Sequence, residues 1–257
     1  MGGQYSDSRE SRKAKALEWH SRMQKEKKNE TEVATKNSVI YRDSVPSPTG
    51  NSGKPRVSLF QGTVHDWMMK NIRTCPGWGI LNFASYRNPG GGFLNGSKAQ
   101  EEDLCHQSNL YEILSSTRLQ SFYTENQKNE GKLRNGMYTD AAIYTPGVEF
   151  FECGVWVSLN VLTCPAPNVS KYPENGKPVY YENVLYKRIK FILDIFEATG
   201  NKKLVLGAFG CGVFKNPPAL VASDFKKILD SGQYSFTDII FAVPAGPNYT
   251  VFSSIRW

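Results

Sequence analysis

The chain has 257 residues, a formal net charge of +7, and 40% hydrophobic, 12% aromatic and 21% charged side chains. That is one large domain, or one domain with an extension, and it holds enough apolar residues to fill a core without disulfide or metal staples. A wholly disordered chain is excluded, and no apolar run approaches the roughly 18 residues of a membrane helix.

In chain order, the start Met1-Gly2-Gly3-Gln4-Tyr5-Ser6 fits the N-myristoylation pattern at Gly2, a pattern short enough to arise by chance. Residues 7–30 predict a charged surface helix with a thin apolar stripe (Ala16, Trp19, Met23), docked by few contacts. Residues 43–56, DSVPSPTGNSGKPR, predict a mobile loop. The chain thus divides into a basic helical extension and loop, 1–56, and a domain, 57–257. In the domain, strands and helices alternate: strand VSLF (57–60), helix 62–72 with Val64, Met68 and Ile72 on one side, strand GILNF (79–83), helix 98–116, strand AAIY (141–144) and strand VWVSLNVL (155–162). The clearest helix is 180–199, where Leu185, Ile189, Ile192, Leu193 and Phe196 share a face. KLVLGAF (203–209), a helix from Pro218 to Asp230 and DIIFAVP (238–244) complete the pattern. The nearly continuous apolar character of those two strands is that of parallel strands covered on both faces. The expected class is a three-layer α/β/α sandwich, with ligands at the carboxyl ends of its strands.

Five cysteines (Cys75, Cys105, Cys153, Cys164, Cys211) form no CxxC pair and read as reduced thiols of a cytosolic or nuclear protein; no apolar leader core follows the start. His20, His65 and His106 stand far apart, so no metal site is expected. The net positive charge suits a phosphate-bearing or polyanionic partner, nucleic acid included, or simply a solvated basic surface.

Two glycine loops follow buried strands. In the first, Gly90-Gly91-Gly92, the missing Cβ atoms let backbone amides approach a phosphate closely. The second is Gly207-Ala208-Phe209-Gly210-Cys211-Gly212-Val213-Phe214. Two facing loops suit a diphosphate held from both sides. Neither closes with the Gly-Lys-Ser/Thr of a nucleotide-triphosphate loop, and neither fits the dinucleotide fingerprint. Gln100, Glu101 and Glu102 read two ways. Ser97 as N-cap with Gln100 three positions on makes a capping box, and acidic residues suit a helix start. Alternatively, first-turn carboxylates after a phosphate loop point into the same cleft.

GGG, seven residues, then QEE is the signature of poly(ADP-ribose) glycohydrolases, and NPGGGFLNGSKAQEEDLCHQSNLY resembles their microbial-type catalytic domain. The resemblance runs on through IYTPGVEFF, LTCPAPN, LGAFGCGVFKNPPALVASDF and IIFAVP, over roughly residues 57–257. It implies a macrodomain fold with a mixed sheet, hydrolysis of ribose–ribose O-glycosidic bonds, no cofactor or metal, ADP-ribose as product, a monomer, and a place in reversing ADP-ribosylation after DNA damage. By the same resemblance Glu102 is the general acid/base and Glu101, in the QEE beside Gln100, orients ribose hydroxyls. Gly91 and Gly92 line the diphosphate opposite Phe209, Gly210, Cys211, Gly212 and Val213, and Phe214 closes over the distal ribose. Asn82 and Phe83 fall near the nucleoside, Asn88 binds the terminal ribose, and Phe252, with Tyr249 second, stacks on adenine. The alternatives are a mono(ADP-ribosyl) hydrolase acting on protein or nucleic acid, and a non-catalytic ADP-ribose reader, for which the second carboxylate would have no use.

Overall fold

The computed structural model describes residues 8–45, 48, 53–133, 135–173 and 176–257. The acylation pattern at Gly2 and much of the 43–56 loop lie outside them. Seven strands, β1 (Val39–Arg42), β2 (Arg56–Gln61), β3 (Gly79–Phe83), β4 (Ala141–Glu152), β5 (Val155–Cys164), β6 (Lys203–Leu206) and β7 (Asp238–Val243), form one sheet in the order β1-β4-β5-β3-β6-β7-β2. β1, β4 and β5 pair antiparallel, whereas β5, β3, β6, β7 and β2 run parallel.

The strands feed two cores. Leu204, Leu206, Ile239, Phe241 and Val243 face one side, with α7 (Tyr181–Ala198), α8 (Pro218–Leu229) and Phe252 of α9 (Pro247–Ser254). Val205 and Ala242 face the other, under α3 (Val64–Asn71), α4 (Gln100–Cys105) and α5 (Leu110–Leu114). This is the expected three-layer mixed sandwich, and the alternation explains why β6 and β7 read as unbroken apolar runs. Leu185, Ile189, Ile192, Leu193 and Phe196 of α7 are all fully buried. α3 is started by Thr63, whose hydroxyl and Asp66 form a reciprocal capping box. Val64 and Met68 are buried as expected; Ile72 caps the end.

Several elements differ from the sequence pattern. The predicted helix 98–116 is two helices, because Ser108 bridges to Phe150 of β4 and the Asn109 side chain joins Thr31 to the Glu149 amide. A further helix, α6 (Gln120–Leu133), follows. β4 continues past residue 144 over an irregularity between Thr145 and Val148, at Gly147 (φ 72°). On β5, Val157, Leu159 and Val161 are buried as the alternation requires, but Val155 at the strand end is exposed.

The N-terminal segment is more than a helix and a loop. α1 (Arg9–Glu26) is capped by the Ser8 hydroxyl, and α2 (Lys28–Asn37) leads into β1, a strand of the same sheet. α1 is also tightly docked. Ala16 and Met23 are fully buried, and the Trp19 indole donates to the Ser108 carbonyl. Arg9 and Arg12 reach the carbonyls of Asn95 and Gly96 at 3.0 and 2.9 Å, in the turn that follows the first glycine loop. A stripe of three residues understates such docking because the arginine bonds carry no periodicity.

Candidate active site

Both glycine loops leave the carboxyl ends of adjacent parallel strands, β3 and β6. α4 begins at Gln100, with Ala99 as an N-cap that offers no side-chain bond, so the Ser97–Gln100 capping box is not formed. Gln100 instead extends the sheet: its amide accepts from Phe83 N at 2.8 Å and donates to the Leu81 carbonyl at 2.8 Å. This two-way clamp fixes the first turn of α4 against the end of β3, which brings Glu101 and Glu102 to the strand ends.

Glu101 is 2% exposed and its oxygens are engaged by protein donors. Ser85 N donates at 2.7 Å, Asn82 Nδ2 at 3.3 Å, and the Gly90 amide also bonds to it. Burial, and then the neighbouring Glu102 carboxylate, outweigh these donors and push the Glu101 carboxyl up to about 8. That environment differs from the expected one, in which Glu101 reaches substrate hydroxyls; here it is committed to the protein. Asn82 is fully buried, spans Glu101 and Thr163, and leaves its Oδ1 without a partner. It is a strut for the carboxyl.

Glu102 is 7% exposed and accepts from the Gly92 amide at 2.8 Å. A Cβ built on Gly91, which has φ +60°, would stand 2.5 Å from Glu102 Oε1 and 3.1 Å from Glu101 Oε2. The two carboxyl groups therefore flank that glycine. Gly91 N donates to the Asn88 carbonyl. The amides of Gly90, Gly91 and Gly92 thus serve the carboxylates and the loop itself, which corrects the expectation that Gly91 and Gly92 present free donors to a diphosphate.

The second loop is built differently. The buried side chain of Asn216 donates to the carbonyls of Gly210 and Pro167 and accepts from the Tyr181 hydroxyl at 2.7 Å. Gly210 (φ +70°) has no room for a Cβ against Asn216 and Ala166. Phe209 is buried and meets Phe83 edge to face at 5.7 Å. Cys211 is buried, and burial pushes its thiol up to about 12, which removes it as a nucleophile. Beyond it the loop opens: Gly212 has nothing within reach of a Cβ, and Val213 is 70% exposed. Among the described residues, the amides of Gly212, Val213 and Phe214 meet no acceptor. Phe214 is half-buried, 6.3 Å from the ring of Tyr138, which itself stacks on Tyr86 at 3.9 Å.

The remaining expected residues separate. Asn88 is exposed and lines a cavity of about 600 Å³ with Arg87, Gln127 and Glu130, a different cavity from the one Glu102 borders. Phe252 is fully buried against Phe241 and Trp257, so it is a core residue and offers no face to a base. Tyr249, half-buried, remains the aromatic candidate on α9. Ser85, Thr163, Asn216 and the fully buried Arg188 escape sequence reasoning. Arg188 bonds Asp140 and the carbonyls of Pro165, Met137 and Tyr138, holding Tyr138 beside Phe214. A charged residue on the apolar face of α7 was the available signal. Among the described residues, no group of three or more His, Cys, Asp and Glu is placed to hold a metal. No helix there is long and apolar enough to cross a membrane.

A mixed α/β/α sheet with a buried carboxyl pair and two strand-end glycine loops defines a macrodomain-like site. Residues 11–152, more than half of the chain, match the microbial-type PARG catalytic domain, where PARG denotes poly(ADP-ribose) glycohydrolase, and the chain belongs to that family. It is similar to the PARG of Thermomonospora curvata bound to the inhibitor ADP-HPD, at 29% identity and a TM-score of 0.80, over 95% of this chain and 98% of that one. It is also similar to the PARG of Deinococcus radiodurans in complex with ADP-ribose, at 29% identity and a TM-score of 0.75, over 88% and 95% of the two chains. No curated protein sequence matches.

Proposed function

We propose that the protein is a poly(ADP-ribose) glycohydrolase that cuts ribose–ribose O-glycosidic bonds and releases ADP-ribose. The observation that carries this reading is the buried Glu101–Glu102 pair, held beyond the end of β3 and tied to the first glycine loop through Gly92 N. Burial and the neighbouring Glu102 push Glu101 up to about 8, so the buried member of the pair keeps its proton at neutral pH. Glu102, which borders open space, passes a proton to the departing ribose oxygen as the bond to the anomeric carbon breaks. The oxocarbenium-like ribosyl centre is met by water, whose proton returns to Glu102. The free amides of residues 212–214 suit the diphosphate, whose charge also steadies that centre. The carboxyl pair and both glycine loops lie within residues 57–257, with α1 as a brace on the first loop.

Incubation with automodified polymerase tests the reading. Free ADP-ribose should accumulate while the last protein-linked unit remains. Release of that unit with polymer left intact would make the protein a mono(ADP-ribosyl) hydrolase instead, and binding without release would make it a reader.

A further inference from the structure

We propose that the cavity between α1 and α4 is the subsite for the leaving side of the chain, the next ADP-ribosyl unit, whose ribose oxygen departs on cleavage. The proposal rests on the glycohydrolase reading above. When the bond between the terminal anomeric carbon and the neighbouring ribose oxygen breaks, the electron pair stays on that oxygen and a proton must reach it from Glu102. Water then supplies the new oxygen to the anomeric carbon and returns a proton to Glu102. The departing oxygen therefore lies within hydrogen-bond reach of Glu102, and the rest of the polymer must continue through space next to it.

Glu102 borders a cavity of about 520 Å³ whose far wall is the N-terminal helix. Arg12, Lys15 and Arg22 of α1 line it with Lys98, against Glu18 and Asp103 on the acidic side. Burial raises the Asp103 carboxyl. His106, on the same wall, is lowered by burial and then by the nearby Lys15 and Arg12. Two of the cations are fixed. Arg12 is anchored on the Gly96 carbonyl at 2.9 Å, and Arg22 lies 4.5 Å over the ring of Phe151 and bonds Glu26. Lys15 and Lys98 are exposed at the rim, where long ammonium side chains can reach a diphosphate. Trp19 adds an aromatic surface to the lining. Anchored and exposed cations and an aromatic face opening onto the acid are what a strand of alternating diphosphate and nucleoside requires.

The double variant Lys15→Glu/Lys98→Glu tests this by charge, and Lys15→Gln/Lys98→Gln is the milder companion, since both side chains are exposed and neither contributes to the core. On poly(ADP-ribose), KM should rise about tenfold in the first and about threefold in the second, with kcat within about twofold and a shallower salt dependence of kcat/KM. Calorimetric affinity for free ADP-ribose should stay at the wild-type value. An unchanged polymer KM in both variants, with an active wild type, overturns the subsite. Equal weakening of ADP-ribose binding also overturns it, by assigning the cavity to the terminal unit. A wild type that leaves polymer uncut overturns the glycohydrolase reading itself, a result distinguishable from either.

Discussion

The two glycine loops have the same composition and leave adjacent parallel strands, yet they are turned to opposite purposes. In the first, the amides of Gly90, Gly91 and Gly92 are spent inward, on Glu101, the Asn88 carbonyl and Glu102. In the second, the core residue Asn216 holds the base of the loop, and the amides of Gly212, Val213 and Phe214 are left without acceptors. The reason for glycine differs accordingly. Gly91 is required by a left-handed φ and by two carboxylates where its Cβ would stand. Gly212 collides with nothing. Gly212 is thus open beside amides that can meet a ligand, whereas Gly91, hemmed in by the carboxyl groups, is part of their mounting.

The largest expected effect separates chemistry from binding. Glu102→Gln keeps an acceptor for Gly92 N but loses the proton, so turnover of polymer should fall about 10³-fold or more while ADP-ribose binding stays near wild type. Near-normal hydrolysis by this variant would take the acid/base role away from Glu102. Gly91→Val should follow in size, with about a 10²-fold loss in kcat, because the new side chain must displace the Glu102 carboxyl. Gly212→Val is its counterpart in the second loop. It should melt with the wild type and lose about tenfold in ADP-ribose affinity, roughly 1.4 kcal/mol by calorimetry. If the Gly91 variant loses affinity and the Gly212 variant loses turnover, the division of labour is reversed. Gly92 is a poorer probe, since its Cβ would overlap the Ser97 side chain and disturb the first loop before any ligand arrives.

Much of this was legible in the chain. The period of α7 and the doubly apolar β6 and β7 announced the layers, because burial on one face or on both leaves a direct imprint on residue order. GGG followed by QEE located the carboxyl pair. What the chain concealed were bonds made at a distance. Gln100 looked like the partner of Ser97 but clamps β3, because helix-start preferences are local and the strand edge it completes lies 17–19 residues away. Phe252 was given a stacking role by the resemblance alone; its burial follows from Phe241 and Trp257 closing over it, contacts that residue order does not show. β1 was hidden in the extension because it is four residues long, with no buried position of its own.

Asn216→Ala should cost about 1–3 kcal/mol of stability, the range for stranding buried partners, here the Gly210 and Pro167 carbonyls and the Tyr181 hydroxyl. It should weaken ADP-ribose binding through the second loop without touching the pH dependence of the carboxyl pair. Melting curves and calorimetry check both halves. A variant as stable as the wild type would mean that the second loop holds its shape without this residue.

The last effect expected is on the pH dependence of stability and belongs to the first loop. The Glu101 carboxyl is raised from 4.5 to about 8 in the folded protein, so the fold binds that proton more tightly than the unfolded chain does. Its contribution to stability is fully present below about pH 4.5 and is lost as pH rises through about 8. Glu101→Gln carries a neutral group at every pH and removes this loss. Its Tm should therefore fall less steeply than the wild type's between pH 4.5 and 8. The comparison is of slopes, because the amide also changes the bonds to Ser85 and Asn82 and so shifts the absolute Tm at all pH values alike. Parallel slopes would show that Glu101 ionises as freely as an exposed carboxylate. Glu101 would then hold no proton at neutral pH, and the amides of Ser85 and Gly90 that bond to it would be holding a charge in the core rather than a neutral acid.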